Sequence, residues 1–84
     1  MKAKVLFFAS ARELAGVSST EVELPGEASS TSALRRRLAE QIPALAPIAA
    51  TITLAVNHEY LPVEEDAPLK DGDEVALIPP ISGG

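Results

Sequence analysis

Few side chains in this sequence have the chemistry to bind a metal ion, and they do not cluster. His58 is the only histidine, and it stands beside Glu59 in a predicted turn with no second ligand at a metal-binding spacing. The acidic run at residues 64–66 lacks the alternating ligands and the glycine bend of a calcium loop. We therefore expect an exposed turn residue and a solvated loop, and no metal site.

Basic and hydroxyl residues do not assemble a reaction centre either. The arginines at 35–37 lie in a predicted helix, where their side chains fan out, so a charged outer face is favoured over phosphate binding. Ser10 and Arg12 do not form a nucleophile with its base, and no phosphate-cradling glycine loop is present. The sequence therefore predicts no autonomous catalysis.

The stretch IPPISGG at residues 78–84 is the remaining candidate. Pro79 and Pro80 stiffen the exit from a predicted strand and prevent further pairing. Gly83 and Gly84 have no side chains, so they can thread a narrow channel and carry a carboxylate into the active site of another protein. The alternative is a frayed end without function.

Composition limits the class of protein. The chain has 84 residues, which is enough for one domain, and 46% of them are hydrophobic, which argues against disorder. A net charge of −5 argues against nucleic acid and allows a basic protein partner. The absence of cysteine excludes thiol catalysis and favours a reducing cytoplasm. The first apolar run is too short for a signal peptide or a membrane span.

Two strands are predicted in the first third of the chain. KVLFFA (residues 4–9) is a continuous apolar run, typical of a strand covered on both faces. SSTEVELPG (18–26) alternates and should pair with it as a hairpin. The connection is predicted to hold a short helix that begins at an N-cap Ser10, with Glu13 completing a capping box, and ends at Gly16.

The main helix is predicted at residues 29–42, capped by one of its first two serines and ended by Pro43. One apolar stripe runs along it: Leu34, Leu38 and Ile42. A low-polarity connection follows. Three more strands are then predicted at residues 52–56, 59–63 and 74–79, the second of them confined to an edge by its proline. Turns are predicted at 57–58 and 71–72.

This order predicts an α+β fold in which a mixed sheet of about five strands packs on one main helix, a β-grasp-like roll. If Val5 and Phe7 face the helix, Leu6 and Phe8 face away from it, and by the same alternation Ala76 and Ile78 of the last strand also face away. An apolar outer face on a small domain marks a partner surface. The alternative is that flanking loops cover part of it.

Three segments carry a family resemblance: VLFFASARELAG (5–16), LAVNHEYL (54–61) and DGDEVALIPPISGG (71–84). With them, the sequence resembles the MoaD-type sulfur carriers, the small subunits of molybdopterin synthase. The resemblance covers essentially the whole chain and is generic only at residues 27–50. It implies a ubiquitin-like β-grasp domain at residues 1–80 and a flexible Gly-Gly tail at 81–84.

The resemblance also implies the chemistry. Gly84 would be adenylated with ATP and Mg by an E1-like, MoeB-type enzyme and converted to a thiocarboxylate, with the sulfur coming from a donor such as a cysteine desulfurase or a rhodanese. The tail would then insert into the large, MoaE-type subunit of a heterotetramer and donate sulfur to cyclic pyranopterin monophosphate. On this reading the chain is a non-catalytic donor subunit that binds no cofactor, metal, nucleic acid or membrane itself.

Site residues follow by position. Gly84 would bear the thiocarboxylate and Gly83 would thread the channel with it. The remaining residues would contact partners: Phe8, Tyr60, Ile78, Pro79, Pro80, Ile81 and Ser82. Phe8 and Ile78 are also reached independently from the alternation of the strands.

Two alternatives stay open. One is a sulfur carrier of another pathway, such as thiamine synthesis or another thiolation. The other is a ubiquitin-like interaction or modifier domain whose tail forms an isopeptide bond or does nothing.

Overall fold

A computed structural model describes residues 1–25 and 29–79 and contains a five-stranded sheet with three α-helices. The strands are β1 (Lys2–Phe7), β2 (Ser19–Glu23), β3 (Thr53–Val56), β4 (Glu59–Leu61) and β5 (Glu74–Ile78). The helices are α1 (Ala9–Ala15), α2 (Thr31–Gln41) and α3 (Ala46–Ala49), with a 3-10 helix (Pro43–Leu45) leading into α3. The predicted 78–84 stretch is described only to Pro79, and its residues 80–84 lie outside the described part of the chain.

The sheet is mixed, with strand order β2-β1-β5-β3-β4. The central pair, β1 and β5, is parallel, whereas β1 with β2, β3 with β5, and β3 with β4 are antiparallel. The predicted hairpin of the first two strands is confirmed, and so is the edge position of the short strand before Pro62. The α+β class and the five-stranded mixed sheet were therefore correctly predicted.

The core lies between one face of the sheet and α2. Val5, Phe7, Val75 and Leu77 alternate along β1 and β5 toward this side and are essentially inaccessible to solvent. Leu34 and Leu38 cover them from α2, as the predicted stripe requires. Since each fully buried aliphatic or aromatic side chain contributes about 1.5–3 kcal/mol, this face supplies most of the stability of the domain.

Two predictions for the start of the chain are wrong. The first strand ends at Phe7, and Lys2 and Lys4 are exposed on its outer side, so the strand is covered on one face along much of its length. Ser10 does not cap α1, because the N-cap is Phe8, whose extended backbone leaves its carbonyl oxygen to accept from the Ala11 and Arg12 amides. The helix thus begins at Ala9, one residue before Ser10, although its predicted end at Gly16 is confirmed by a left-handed φ of 77°.

The N-terminus of α2 is capped from two directions. The Ser30 hydroxyl accepts from the Ala33 amide, as predicted. Asp66 adds a second cap, because its carboxylate accepts from the Ser32 amide at 2.8 Å and from the Thr31 hydroxyl at 3.2 Å. The acidic run 64–66 was expected to be a solvated loop, yet its last residue anchors that loop to the helix through contacts that sequence alone does not reveal.

Arg35 contradicts the prediction of a charged outer face at residues 35–37. Its side chain is buried, and Nη1 donates to the carbonyl oxygens of Ala49 at 3.1 Å and Ile52 at 2.6 Å. These carbonyls end α3 and begin the approach to β3, where helical partners are lacking. A long guanidinium satisfies both carbonyls from the neighbouring helix, and burial lowers the pKa of Arg35. Arg36 and Arg37 do face solvent, as predicted.

Candidate functional site

The outer face of the sheet, opposite α2, exposes large aromatic side chains to solvent. Phe8 is 47% exposed and Tyr60 is 74% exposed, although both are aromatic. Between them lie Leu6, Ala76 and Ile78, which are only partly buried. The predicted alternation is confirmed, because the even-numbered residues of β1 and β5 leave the core. No flanking loop of the described chain removes Phe8 or Tyr60 from solvent.

The register explains why this face is concave. Ala55 and Ala76 pair directly across β3 and β5, and Leu6 and Tyr60 pair with them from the flanking strands. Two adjacent methyl groups therefore form a low floor between taller side chains. The result is an open depression of about 240 Å³, which we call the outer-face socket.

The two ends of the socket differ in chemistry. Its apolar end is formed by Phe8 and Ile78. Its polar end is formed by Glu74 and His58, whose Oε1 and Nε2 atoms lie 3.9 Å apart. The Glu74 side chain is about one third exposed, at 34%, whereas His58 is 89% exposed. A molecule in the socket would therefore meet hydrocarbon along most of its length and a carboxylate at one end.

A hydrogen-bonded turn holds Glu74 in place. The Glu74 amide donates to the Asn57 side-chain oxygen, and the Asn57 amide donates to the Glu74 carbonyl at 2.7 Å. The Asn57 side-chain amide also donates to the Asp73 carboxylate. The pKa of Asp73 is kept below its ordinary value, first by a hydrogen bond from the Lys70 amide and then by this bond from Asn57. The turn thereby fixes the backbone from which the Glu74 carboxylate projects.

The socket lies beside the point where β5 leaves the sheet. Because β1 and β5 are parallel, Ile78, the last residue of β5, and Phe8, which follows β1, lie at the same end of the sheet. Pro79 comes next, partly buried, and is the last described residue. The described part of β5 therefore ends at the apolar end of the socket, and the row of charged residues Lys4, Glu21 and Glu74 lies nearer the opposite end of the strands.

The predicted site residues separate into two groups. Phe8, Tyr60 and Ile78 are brought together around the socket, and Pro79 adjoins it. The other predicted contact and tail residues lie outside the described residues: Pro80, Ile81, Ser82, Gly83 and Gly84.

Sequence reasoning missed four of the residues that shape the socket or hold its polar end: Asn57, His58, Glu74 and Ala55. The pairing of Ala55 with Ala76 was not visible from either strand alone. The predicted 57–58 turn was a usable signal for the polar end, because it is confirmed with left-handed φ values at both residues.

His58 is exposed in its turn, as predicted. Residues 1–25 and 29–79 contain no cluster of three or more histidine, aspartate or glutamate side chains arranged to hold one metal ion. Within the same residues, no helix combines the length and apolar character that crossing a bilayer requires.

Comparison with known proteins decides the family. The sequence profile of the ThiS family matches residues 5–84. This chain belongs to the ThiS family. It is 45% identical over 84 residues to the molybdopterin synthase sulfur carrier subunit of Chlamydomonas reinhardtii, covering 100% of both chains. It is 46% identical over 83 residues to the subunit of the same name from Escherichia coli K12, covering 96% of this chain and 98% of that one.

Solved structures agree with this membership and with the predicted β-grasp fold. SAMP1 from Haloferax volcanii superimposes with a TM-score of 0.81 at 26% identity, covering 100% of both chains. A complex of subunits 1 and 2 of the molybdopterin-converting factor from Helicobacter pylori contains a chain that matches with a TM-score of 0.66 at 25% identity, again over 100% of both. The resemblance of this ThiS-family chain to the MoaD-type carriers is confirmed.

Proposed function

We propose that this chain is the sulfur-carrier subunit of a molybdopterin synthase. The observation that carries the proposal is the full-length similarity to sulfur carrier subunits of that enzyme. The outer-face socket supports it independently, because a carrier must dock on its partner and present its end from the docked surface.

The reacting group would be the carboxylate of Gly84. A carboxylate resists substitution because its leaving group would be oxide. Transfer of AMP from ATP, with loss of pyrophosphate, turns one carboxylate oxygen into part of a good leaving group. A persulfide of the sulfur donor then displaces AMP and forms an acyl disulfide. A thiol cleaves this disulfide, so the terminal sulfur stays on Gly84 as a thiocarboxylate and the two thiols are oxidised to a disulfide. The thiocarboxylate sulfur would bond to a carbon of cyclic pyranopterin monophosphate as an oxygen substituent leaves that carbon. Hydrolysis of the resulting thioester would leave the sulfur on the pterin and return the Gly84 carboxylate.

Partners would supply the catalytic groups. A MoeB-type enzyme would bind ATP with Mg and adenylate Gly84, and a cysteine desulfurase or rhodanese would deliver the sulfur. The large, MoaE-type subunit would bind the pterin and receive the tail, with Gly83 passing through its channel. The name of the Helicobacter pylori complex supports a two-subunit assembly, and we propose that the same pairing occurs here, in the cytoplasm.

Docking would use Phe8, Tyr60 and Ile78, with Pro79, Pro80, Ile81 and Ser82 extending the contact toward the large subunit. The pair Pro79 and Pro80 would mark the boundary between the domain at residues 1–80 and the tail at 81–84, because neither residue can donate a backbone hydrogen bond. The docked domain would thereby set the distance over which the last residues reach.

The test is a reconstitution with two stages. The chain is incubated with a MoeB-type enzyme, ATP, Mg and a sulfur donor, and intact-mass spectrometry looks for replacement of one oxygen by sulfur. The large subunit and cyclic pyranopterin monophosphate are then added, and molybdopterin formation is measured. An unchanged mass, under conditions that thiolate a known carrier, would refute the carrier function. Thiolation without pterin conversion would favour another pathway, such as thiamine synthesis.

A second candidate is a protein modifier, because SAMP1, a small archaeal modifier protein, has the same fold over the whole chain. Under this alternative the adenylated Gly84 would be attacked by a lysine amine to give an isopeptide bond. Denaturing electrophoresis of the same reconstitution, with cell extract added, would show higher-mass conjugates that disappear when Gly84 is deleted.

A further inference from the structure

We propose that the outer-face socket receives one basic side chain of the partner, an arginine or lysine, whose alkyl stem lies on Ala55 and Ala76 and whose cationic head binds Glu74. This inference rests on the proposed function, because the partner used to test it is the large subunit. It goes further by assigning the chemistry of the group that fills the socket.

The shape of the socket selects a long and slender group. Its floor consists of two paired methyl groups, and Leu6, Phe8, Tyr60 and Ile78 rise around it. The alkyl stems of lysine and arginine bury well along apolar surface while their charged heads remain at a polar rim.

The charge at one end selects a cation. Asn57 holds the backbone of Glu74 through two hydrogen bonds, so the carboxylate projects from an ordered turn at the rim of the socket. The chain as a whole carries a net charge of −5, so a basic partner surface is attracted before contact. Two groups of this chain also face Glu74: His58, 3.9 Å away, and Lys4, its register partner on β1. His58 is 89% exposed and leaves the open side of the carboxylate free for a partner.

The experiment measures the Kd of the intact chain for the cognate large subunit by calorimetry, at low and at high salt. Glu74→Gln keeps the size and the backbone bonds of residue 74 but removes its charge. We expect it to weaken binding about tenfold and to reduce the salt dependence. Glu21→Gln, on the same outer face but outside the socket, is the matched control and should change Kd less than about twofold.

A second pair of variants tests the floor. Ala76→Leu places a branched side chain where the stem would lie and should weaken binding at least about tenfold, with an unchanged melting temperature because residue 76 faces away from the core. Ala44→Leu, exposed at a distant position, should bind like the unmodified chain. A double-mutant cycle between Glu74→Gln and each arginine or lysine of the large subunit replaced by Met should then show coupling at one position.

Each outcome has a distinct meaning. Equal effects of Glu74→Gln and Glu21→Gln would overturn the inference, since general charge attraction would explain both. Weaker binding by Ala76→Leu alone would also overturn it, because the occupant would then be apolar. If the unmodified chain is thiolated and binds the large subunit, these results bear on the socket alone, whereas absence of thiolation and binding refutes the proposed function.

Discussion

The guanidinium of Arg35 and the carbonyl oxygen of Ile52 form one of the shortest hydrogen bonds of the described side chains, 2.6 Å long and buried. The same nitrogen reaches the Ala49 carbonyl, so one side chain of α2 holds the end of α3 and the approach to β3. Since β3 supplies Ala55 to the socket, this buried bond links the helical layer to the outer face of the sheet.

Replacing Arg35 with Met should destabilise the domain. The change leaves two buried carbonyl oxygens without a donor, and we expect the free energy of unfolding to fall by about 2 kcal/mol. Urea unfolding followed by circular dichroism measures it. Arg36→Met, on the exposed side of the same helix, should change stability by less than about 0.5 kcal/mol. Equal losses in the two variants would contradict a specific role for Arg35.

Acid should destabilise the domain partly through Asp66. The Ser32 amide donates to its carboxylate and holds the pKa of Asp66 below the ordinary value of 3.8. A carboxylate with a lowered folded pKa contributes stability above its unfolded pKa and loses that contribution as the pH falls through the folded value. Urea midpoints measured from about pH 5 to about pH 2 should therefore decline.

Asp66→Asn should reduce the slope of that decline, because an amide oxygen still accepts the cap bonds but does not titrate. An identical acid profile for Asp66→Asn and the unmodified chain would argue against the cap. The pKa of Asp73 is also lowered, first by the bond from the Lys70 amide, so part of the decline should persist in Asp66→Asn.

Phe8→Asp should weaken association with the large subunit by about 2 kcal/mol or more, because docking would bury an unpaired charge. Phe8 is 47% exposed and is the N-cap of α1, a position that favours aspartate, so the melting temperature of the isolated domain should not fall. Val17→Asp is a matched control, since Val17 is equally exposed but lies outside the socket. Surface plasmon resonance gives both affinities, and wild-type binding by Phe8→Asp would remove that residue from the docking face.

Deleting Gly84 should abolish sulfur transfer while leaving the thermal midpoint within about one degree. All members of the described core cluster lie between Val5 and Leu77, so the core does not depend on residue 84. Differential scanning calorimetry and the molybdopterin assay are run on the same preparation. A large drop in the midpoint would show that the end of the chain supports the fold, contrary to the proposed tail.

His58→Gly should raise the free energy of unfolding by about 0.5–1 kcal/mol. His58 has a φ of 74° in a two-residue hairpin turn. This backbone conformation is unfavourable for a residue with a Cβ atom and costs glycine little energy. Gly72→Ala gives the opposite test, because its φ of 88° is equally unfavourable for a side chain although nothing lies within 4 Å of an added Cβ. Chemical denaturation should therefore show changes of opposite sign.

Structural features that depend on residues close together in the chain could be predicted from the sequence. The alternation of apolar residues correctly predicted that Phe8 and Ile78 lie on the outer face, and the serines before the main helix correctly predicted a cap, which is Ser30. Both features depend only on residues a few positions apart in the sequence. The burial of Arg35 was not predicted, although Arg35 lies on the same buried face of the helix as Leu34 and Leu38. A cationic side chain is normally expected to face solvent.

Contacts between segments that are distant along the chain could not be predicted from the sequence. The Asp66 cap joins residues 34 positions apart, and the alanine floor depends on the register of two strands separated by a loop. Such pairings depend on the packing of the whole domain, so no local sequence pattern predicts them. The same limit applies to the polar end of the socket, where Glu74 and His58 come from different strand ends.

The central position of β5 also has a mechanical consequence. Any tension applied beyond Pro79 acts along the axis of a strand that is bonded to β1 on one side and to β3 on the other. Such a pull loads the hydrogen bonds of both ladders together in shear, whereas a pull on an edge strand such as β4 can open its ladder one bond at a time. A partner that draws the end of the chain inward would therefore be pulling on a strand that is hydrogen-bonded on both sides.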